Sequence, residues 1–280
     1  MAHQLKQSLP PDRSYEQIEN HYLVERAIAK RLKMANRAER INIYASMYDE
    51  LFRKVPDHPR LTRRNSDVLT AKSNKNKYTL IRRSIGKDTV FMEFAPGDCR
   101  FSMEMTRHVK FVYGIDISDQ RSQMGEMPDN FKLIIYDGYN LPGIINESID
   151  LVFSDQLIEH FHPEDTKLHF ELVYSLLKKG GRYIFHTPHN LTGPSDVSRY
   201  FSDEPECFHL KEWSYTELKI LLKKVGYSDI SSYIKIKNNI YKMPHLYFDF
   251  WERVLSLFPK PKIRKVAQQI IRTILIVARK

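Results

Sequence analysis

A chain of 280 residues with 42% hydrophobic side chains can bury a substantial core, and its two cysteines, Cys99 and Cys207, exclude a disulfide framework and any CxxC pair. The net charge of +10 sits within residues 1–87, which hold 19 Lys and Arg against 9 Asp and Glu. No window approaches the roughly 18 apolar residues of a membrane span, and the N-terminus lacks an apolar signal core; the expected location is a reducing, cytoplasmic one. A basic segment of this kind suits an anionic partner, whether a phosphorylated or acidic small molecule, a membrane surface or nucleic acid. RNA readers carry aromatic or motif signatures that this sequence lacks, so nucleic acid is the least favoured.

In chain order, residues 15 to 38 place Tyr15, Ile18, Tyr22, Ala29, Leu32 and Ala35 at helical spacing among charges. Residues 40 to 54 repeat the pattern through Ile41, Tyr44, Tyr48 and Leu51, and Pro56 and Pro59 stop it. The stretch 60 to 77 is polar and basic and predicts a mobile connector before a helix over about 77 to 85. Then comes TVFMEFAPGDCRF, residues 89 to 101, where Val90, Phe91, Met92 and Phe94 predict a short strand covered on both faces. Glu93 lies at its carboxyl end and Gly97 lets backbone approach a ligand, ahead of a helix over 101 to 108.

A second run, FVYGIDI (111–117), ends in Asp116, 19 residues beyond Gly97, where a carboxylate can accept from both ribose hydroxyls of a nucleoside. A third, FKLIIY (131–136), ends in Asp137-Gly138, placed to accept from an exocyclic adenine amine. Short helical segments separate these strands. The first turn does not read G-x-G-x-x-G: Pro96 lacks an amide proton and Asp98 adds negative charge, both poor for a pyrophosphate. A cationic nucleoside without phosphate fits better than a dinucleotide.

Ile149, Leu151, Val152 and Phe153 predict a fourth strand ending in Ser154-Asp155, followed by a helix from Pro163 to about Lys178 and a Gly180-Gly181 turn into a fifth strand, RYIFHT. A long segment with His186, His189 and His209 follows, too rich in aromatics for disorder. Ser214 and Glu217 form a capping box for a helix over 215 to 225, closed by Gly226. The tail predicts a strand over 229 to 237, helices over 246 to 258 and 262 to 271, and a closing strand over 273 to 278. Its alternative is an interfacial membrane anchor over 246 to 280, or weak peripheral membrane association.

With VFMEFAPGDCR, FVYGIDIS, IIYDGYNLP, IDLVFSDQLIEHF and LKKGGRYIFHTP in that order, residues from about 75 to 280 resemble a class I S-adenosylmethionine-dependent methyltransferase of the Rossmann-like superfamily. The resemblance implies an α/β fold with a mostly parallel sheet and an antiparallel last strand. It implies a helical N-terminal lid over residues 1–75 and a methyltransferase domain over 76–280. The cofactor is then S-adenosylmethionine, leaving as S-adenosylhomocysteine, with contacts at Glu93, Ala95, Gly97, Asp116, Ile117, Asp137, Gly138 and Ser154. Ala95 departs from the glycine usual at that position.

The same resemblance implies that Tyr44 and Tyr48 of the lid, with His186, line a substrate pocket. An amine acceptor needs only its neutral form, whereas a hydroxyl also needs a base. Asp155, His160 and His189 are the candidates; His189, just past Pro188, has the best position. His160 belongs to a Glu-His pair that recurs in the family with many acceptors, so a structural role competes. His186 and His189 with Asp155 or Asp196 would suit a divalent ion, but no spacing is diagnostic and no metal is expected. The expected activity is O-methylation of an anionic small molecule or glycan; the alternatives are an RNA or protein acceptor, or a non-catalytic binding module.

Overall fold

The computed structural model describes residues 3–64, 66–121, 127–236 and 239–280. Four helices lead the chain: α1 (Tyr15–Met34), α2 (Arg37–Lys54), α3 (Pro59–Arg64) and α4 (Asp67–Ile81). The alternating part follows as β1 (Val90–Phe94), α5 (Arg100–Met105), β2 (Phe111–Asp116), β3 (Phe131–Ile135), β4 (Ile149–Asp155), α6 (Pro163–Leu176), β5 (Leu177–Pro188) and α7 (Tyr215–Val225). The tail adds β6 (Asp229–Ile236), β7 (Asn239–Met243), α8 (His245–Ser256), α9 (Lys260–Ile270) and β8 (Thr273–Arg279).

These strands form one sheet in the order β3-β2-β1-β4-β5-β8-β6-β7, in which β1 to β5 pair in parallel and β8, β6 and β7 are antiparallel to their neighbours. The order reverses beside β1, which makes the carboxyl end of β1 the place where a crevice opens. The composition of β1 explains its central position. Phe91 packs on one face with Phe101, Phe153 and Ile184, and Met92 and Phe94 on the other with Ile115, Phe170 and Phe185. Neither face of such a strand tolerates water, so it can only be covered twice.

The N-terminal helices are held by charge as well as packing. Capping boxes start α1 (Ser14 with Gln17) and α2 (Asn36 with Glu39). Along α2, Tyr44, Met47 and Leu51 bury against Phe208 and Leu210 from the segment after β5, while Ile18 and Tyr22 of α1 bury against Val197, Tyr200 and Cys207. Arg40 of α2, 2% exposed, donates to Asp165 Oδ1 at 2.8 Å, and Tyr139 donates to Asp165 Oδ2 at 2.7 Å. This buried pair ties the second helix to the first turn of α6.

Three expectations change. The connector over 60 to 77 is helical instead: the Ser66 side chain accepts from Leu69 N and starts α4, which runs through the division expected at residue 75. The glycine turn before the fifth strand is a bulge inside β5, with Gly180 at φ +81° and pairing that jumps from Ile149–Leu177 to Leu151–Arg182. An unforeseen edge strand, β7, pairs with β6. The end of the strand expected over 229 to 237, and most of the short helical segment expected between β2 and β3, lie outside the described residues. Among the described residues, no helix is long and apolar enough to cross a membrane.

Candidate functional site

The turn after β1 is built from left-handed backbone. Ala95, Gly97 and Cys99 have φ of 55°, 62° and 60°. Only the glycine occupies that region without strain; for Ala95 and Cys99 it costs roughly 1–2 kcal/mol each. The strained turn aims one amide at β2, Gly97 N donating to Asp116 Oδ2 at 3.0 Å, and Ile117 N, just past the end of β2, donates to Asp116 Oδ1 at 2.8 Å. Asp116 is 5% exposed, and burial pushes its carboxyl up to about 6, against the pull of the Gly97, Ile117 and Ser118 amides and of Arg60.

Beside Asp116 lies a narrow cavity of about 50 Å³, lined by Ala95, Ile117, Tyr136, Gly138 and Leu157 and roofed by Tyr44, Met47 and Tyr48 of α2. A Cβ on Gly138 would stand 3.3 Å from the Tyr44 ring, so glycine allows this close cover. Nucleoside chemistry fits the residues present. Each Asp116 oxygen accepts one main-chain amide and has a further lone pair for a ribose hydroxyl, and the cavity walls are apolar and aromatic, as a purine face needs.

The other cofactor-side residues divide. Glu93 is buried and engaged, accepting from Lys77 Nζ at 2.8 Å and from Ser102 Oγ at 2.5 Å. Asp137 is folded onto its own turn, where it accepts from Tyr139 N, Asn140 N and Asn140 Nδ2. Ser154 points into the core, 2.7 Å from the Tyr183 hydroxyl, which in turn lies 2.9 Å from His169 Nε2.

Against the narrow cavity opens a cleft of about 560 Å³. The tips of β1, β2 and β4 supply Gly97, Asp116 and Asp155, the N-terminal helices supply Tyr48, Arg60 and Lys77, and the segment after β5 supplies Asp196, Arg199 and His209. His186 Nδ1 lies 2.7 Å from Asp155 Oδ1, which fixes that carboxylate at the sheet edge. Tyr44 and Tyr48 both line the narrow cavity, and Tyr48 also lines the cleft. His160 faces both spaces and donates from Nδ1 to Phe208 O at 2.9 Å; burial, with His209 and Arg60 nearby, holds its imidazole down at about 3 and therefore neutral.

His189 is elsewhere. It is fully buried, its Nε2 lies 2.9 Å from Glu252 Oε1 on α8, and its Nδ1 accepts from Leu191 N, so neither ring nitrogen reaches an acceptor. The reason is the isolated bridge between His189 and Trp213, which draws the chain after β5 under the sheet edge. The same placement separates His189 from His186 and dissolves the metal pairing weighed for them.

Sequence reasoning missed several cleft residues. Arg60 lay in the stretch read as a connector, and Arg13, His21, Glu25 and His58 come from a segment treated as ordinary helix and loop. Arg13 is committed to Asp57 at 2.7 Å, and its Nη1 lies 3.0 Å from His21 Nδ1. The one available signal was charge, since residues 1–87 carry the whole basic excess.

Residues 92–185 match the family model of the methyltransferase domain. None of the curated proteins matches the sequence. Among solved structures, the Burkholderia thailandensis 1,6-didemethyltoxoflavin-N1-methyltransferase, with bound 1,6-didemethyltoxoflavin and S-adenosylhomocysteine, superposes with a TM-score of 0.52 at 15% identity, over 88% of this chain and 91% of that one. A SAM-dependent methyltransferase from Archaeoglobus fulgidus gives 0.51 at 17% identity, over 75% of this chain and 94% of that one. One from Mesorhizobium loti gives 0.50 at 17% identity, over 73% and 98%. At these identities the likeness speaks for the fold, and the matched segment spans β1 to β5. Residues 92–185 carry a methyltransferase domain, on a fold shared with S-adenosylmethionine-dependent methyltransferases.

Proposed function

We propose that this protein transfers the methyl group of S-adenosylmethionine to a hydroxyl of an anionic small molecule or glycan. Asp116 takes the ribose, and the apolar cavity under Tyr44 takes the adenine; α1 to α3 act as the lid. The donor sulfonium is activated by its own charge, so the chain's task is alignment and exclusion of water. The observation that carries the acceptor class is the wall of the cleft. Arg13 and Lys77 are committed to Asp57 and Glu93; Arg60, over the Tyr48 ring at 4.9 Å and in the field of Asp116 and Glu25, and Arg199, over the Tyr200 ring at 5.2 Å, add positive charge to the cleft wall.

A hydroxyl acceptor must lose its proton as it attacks. Asp155, oriented by His186, is the group at the strand tip placed to take it; His160, held down at about 3 by burial, takes a proton poorly. S-adenosylhomocysteine formation, measured against paired acceptors that differ only in carrying or lacking a carboxylate or phosphate, tests the proposal. It expects turnover with hydroxylated anionic acceptors, weaker turnover with the neutral partner of each pair, and none when the hydroxyl is methylated beforehand. Transfer to amines alone would overturn it.

A further inference from the structure

Among the described residues, three clusters near the cleft bring His, Cys, Asp or Glu atoms within 4.8 Å of one another: His21–Glu25–His58, Glu25–Asp196–Cys207 and Glu159–His160–His209. The first has its charge met. Arg13 Nη1 lies 3.0 Å from His21 Nδ1, and a guanidinium there repels an ion. The second is also partnered: Glu25 Oε2 accepts from Phe208 N, and Asp196 accepts from Ser198 N and His209 N. The third is different.

Glu159 is fully buried; one oxygen accepts from Thr187 Oγ1 at 2.8 Å, and the other, Oε1, has no hydrogen-bond partner among the described residues. Such an orphaned carboxylate oxygen costs about 1–3 kcal/mol or more unless something meets it. Around it stand two imidazoles, each fixed through Nδ1: His160 donates to Phe208 O at 2.9 Å, and His209 pairs with Glu212 Oε1 at 2.7 Å. Among the described residues, neither Nε2 has a hydrogen-bond partner. Histidines that hold metals are fixed in this way, one nitrogen on a carbonyl or carboxylate and the other on the ion.

We propose that Glu159 Oε1, His160 Nε2 and His209 Nε2 bind a divalent first-row transition-metal ion. Two imidazoles and one carboxylate exclude the all-oxygen preference of magnesium and calcium and suit zinc, cobalt, manganese or iron(II). Charge favours the ion as well. Glu159, Glu212 and Asp196 face His209 and draw a proton onto it; the ion would take that proton's place, with Arg60 opposing it from the cleft side. His160 and His209 line the cleft while Glu159 lies behind them, so the open side of the ion faces the acceptor space, as in a catalytic rather than a closed structural site. If the acceptor is a hydroxyl, as proposed above, its oxygen completes the coordination and its proton leaves more readily; the binding site itself does not depend on that reading.

The sequence concealed this site because His160 and His209 stand 49 residues apart and no short ligand motif joins them. The test uses the full-length protein, stripped with chelator and titrated with Co²⁺, whose visible absorption reports imidazole coordination, with Zn²⁺ as competitor. The expected result is one equivalent of Co²⁺ bound, lost in Glu159→Gln and His209→Asn, and weakened about 10–100-fold in Glu212→Gln. S-adenosylhomocysteine binding and circular dichroism confirm that each variant is folded. Absence of uptake by the folded wild-type protein overturns the proposal and leaves a proton on His209 as the occupant. Uptake that survives both ligand substitutions overturns it too, since the ion then sits elsewhere. Neither outcome bears on whether methyl transfer occurs.

Discussion

The two walls of the crevice are made in opposite ways. On the nucleoside side, Ala95, Gly97, Asp116 and Gly138 come from strand tips that follow one another in sequence, and main-chain amides fix the key carboxylate. On the proposed acceptor side, Tyr48, Arg60, Asp155, His160, Arg199 and His209 come from four separate segments, held by side-chain contacts across long stretches of chain. A wall made of backbone is set by the fold and changes little. One made of distant side chains can be rebuilt by substitution, which is how a single fold serves many acceptors.

The strongest way to break this contrast is to cut the tie between the walls. Arg40→Met leaves the buried Asp165 with the Tyr139 hydroxyl but without its cation and is expected to cost about 3–5 kcal/mol of stability, read by chemical denaturation. It should also speed proteolysis within α1 and α2 while β1 to β5 stay protected. Loss of protection everywhere at once would show that the helices are part of the core and not a separable cover.

Next in size is Asp116→Asn, which should weaken S-adenosylhomocysteine by about 1–3 kcal/mol, roughly 5- to 150-fold, in a protein that still folds. Its pH dependence sharpens the point. The folded carboxyl lies near 6, above its ordinary value of 3.8, so the folded state holds the proton more tightly and this group's contribution to stability is lost as pH rises from about 4 through 6. Cofactor binding needs the ionised form and runs the other way: affinity should fall as pH drops through about 6, and calorimetry on Asp116→Asn should show that dependence gone.

Smaller effects belong to the acceptor wall. Arg60→Gln should raise KM for an anionic acceptor roughly tenfold, about the loss of one hydrogen bond to a charged group, and leave the cofactor Kd unchanged. An equal rise for a neutral acceptor would mean that Arg60 only packs Tyr48. His189→Gln should lower stability, because it loosens a buried contact with Glu252, yet leave kcat per folded molecule within about twofold. A large fall in kcat at unchanged stability would return His189 to the chemistry.

What the sequence showed follows the same division. The strands were legible because Phe91 to Phe94, Val112 to Ile115 and Leu151 to Phe153 are short apolar runs of strand formers ending in an acid. Helix α4 was not: DVLTAKSNKNKYTLI has little apolar periodicity, and its buried residues, Thr79, Leu80 and Ile81, lie in the last turn. Asp116 was legible from its spacing to Gly97. The directions of Asp137, Ser154 and His189 were not, since each is decided by a partner that spacing cannot reveal: Asn140, Tyr183 and Glu252.

The most direct test of the central claim is a crystal structure with S-adenosylhomocysteine. It should show both ribose hydroxyls on the Asp116 carboxylate, the adenine beneath Tyr44, and the sulfur directed into the cleft toward Asp155. Asp116 still bound only to the Gly97 and Ile117 amides, with the nucleoside lodged elsewhere, would contradict the account.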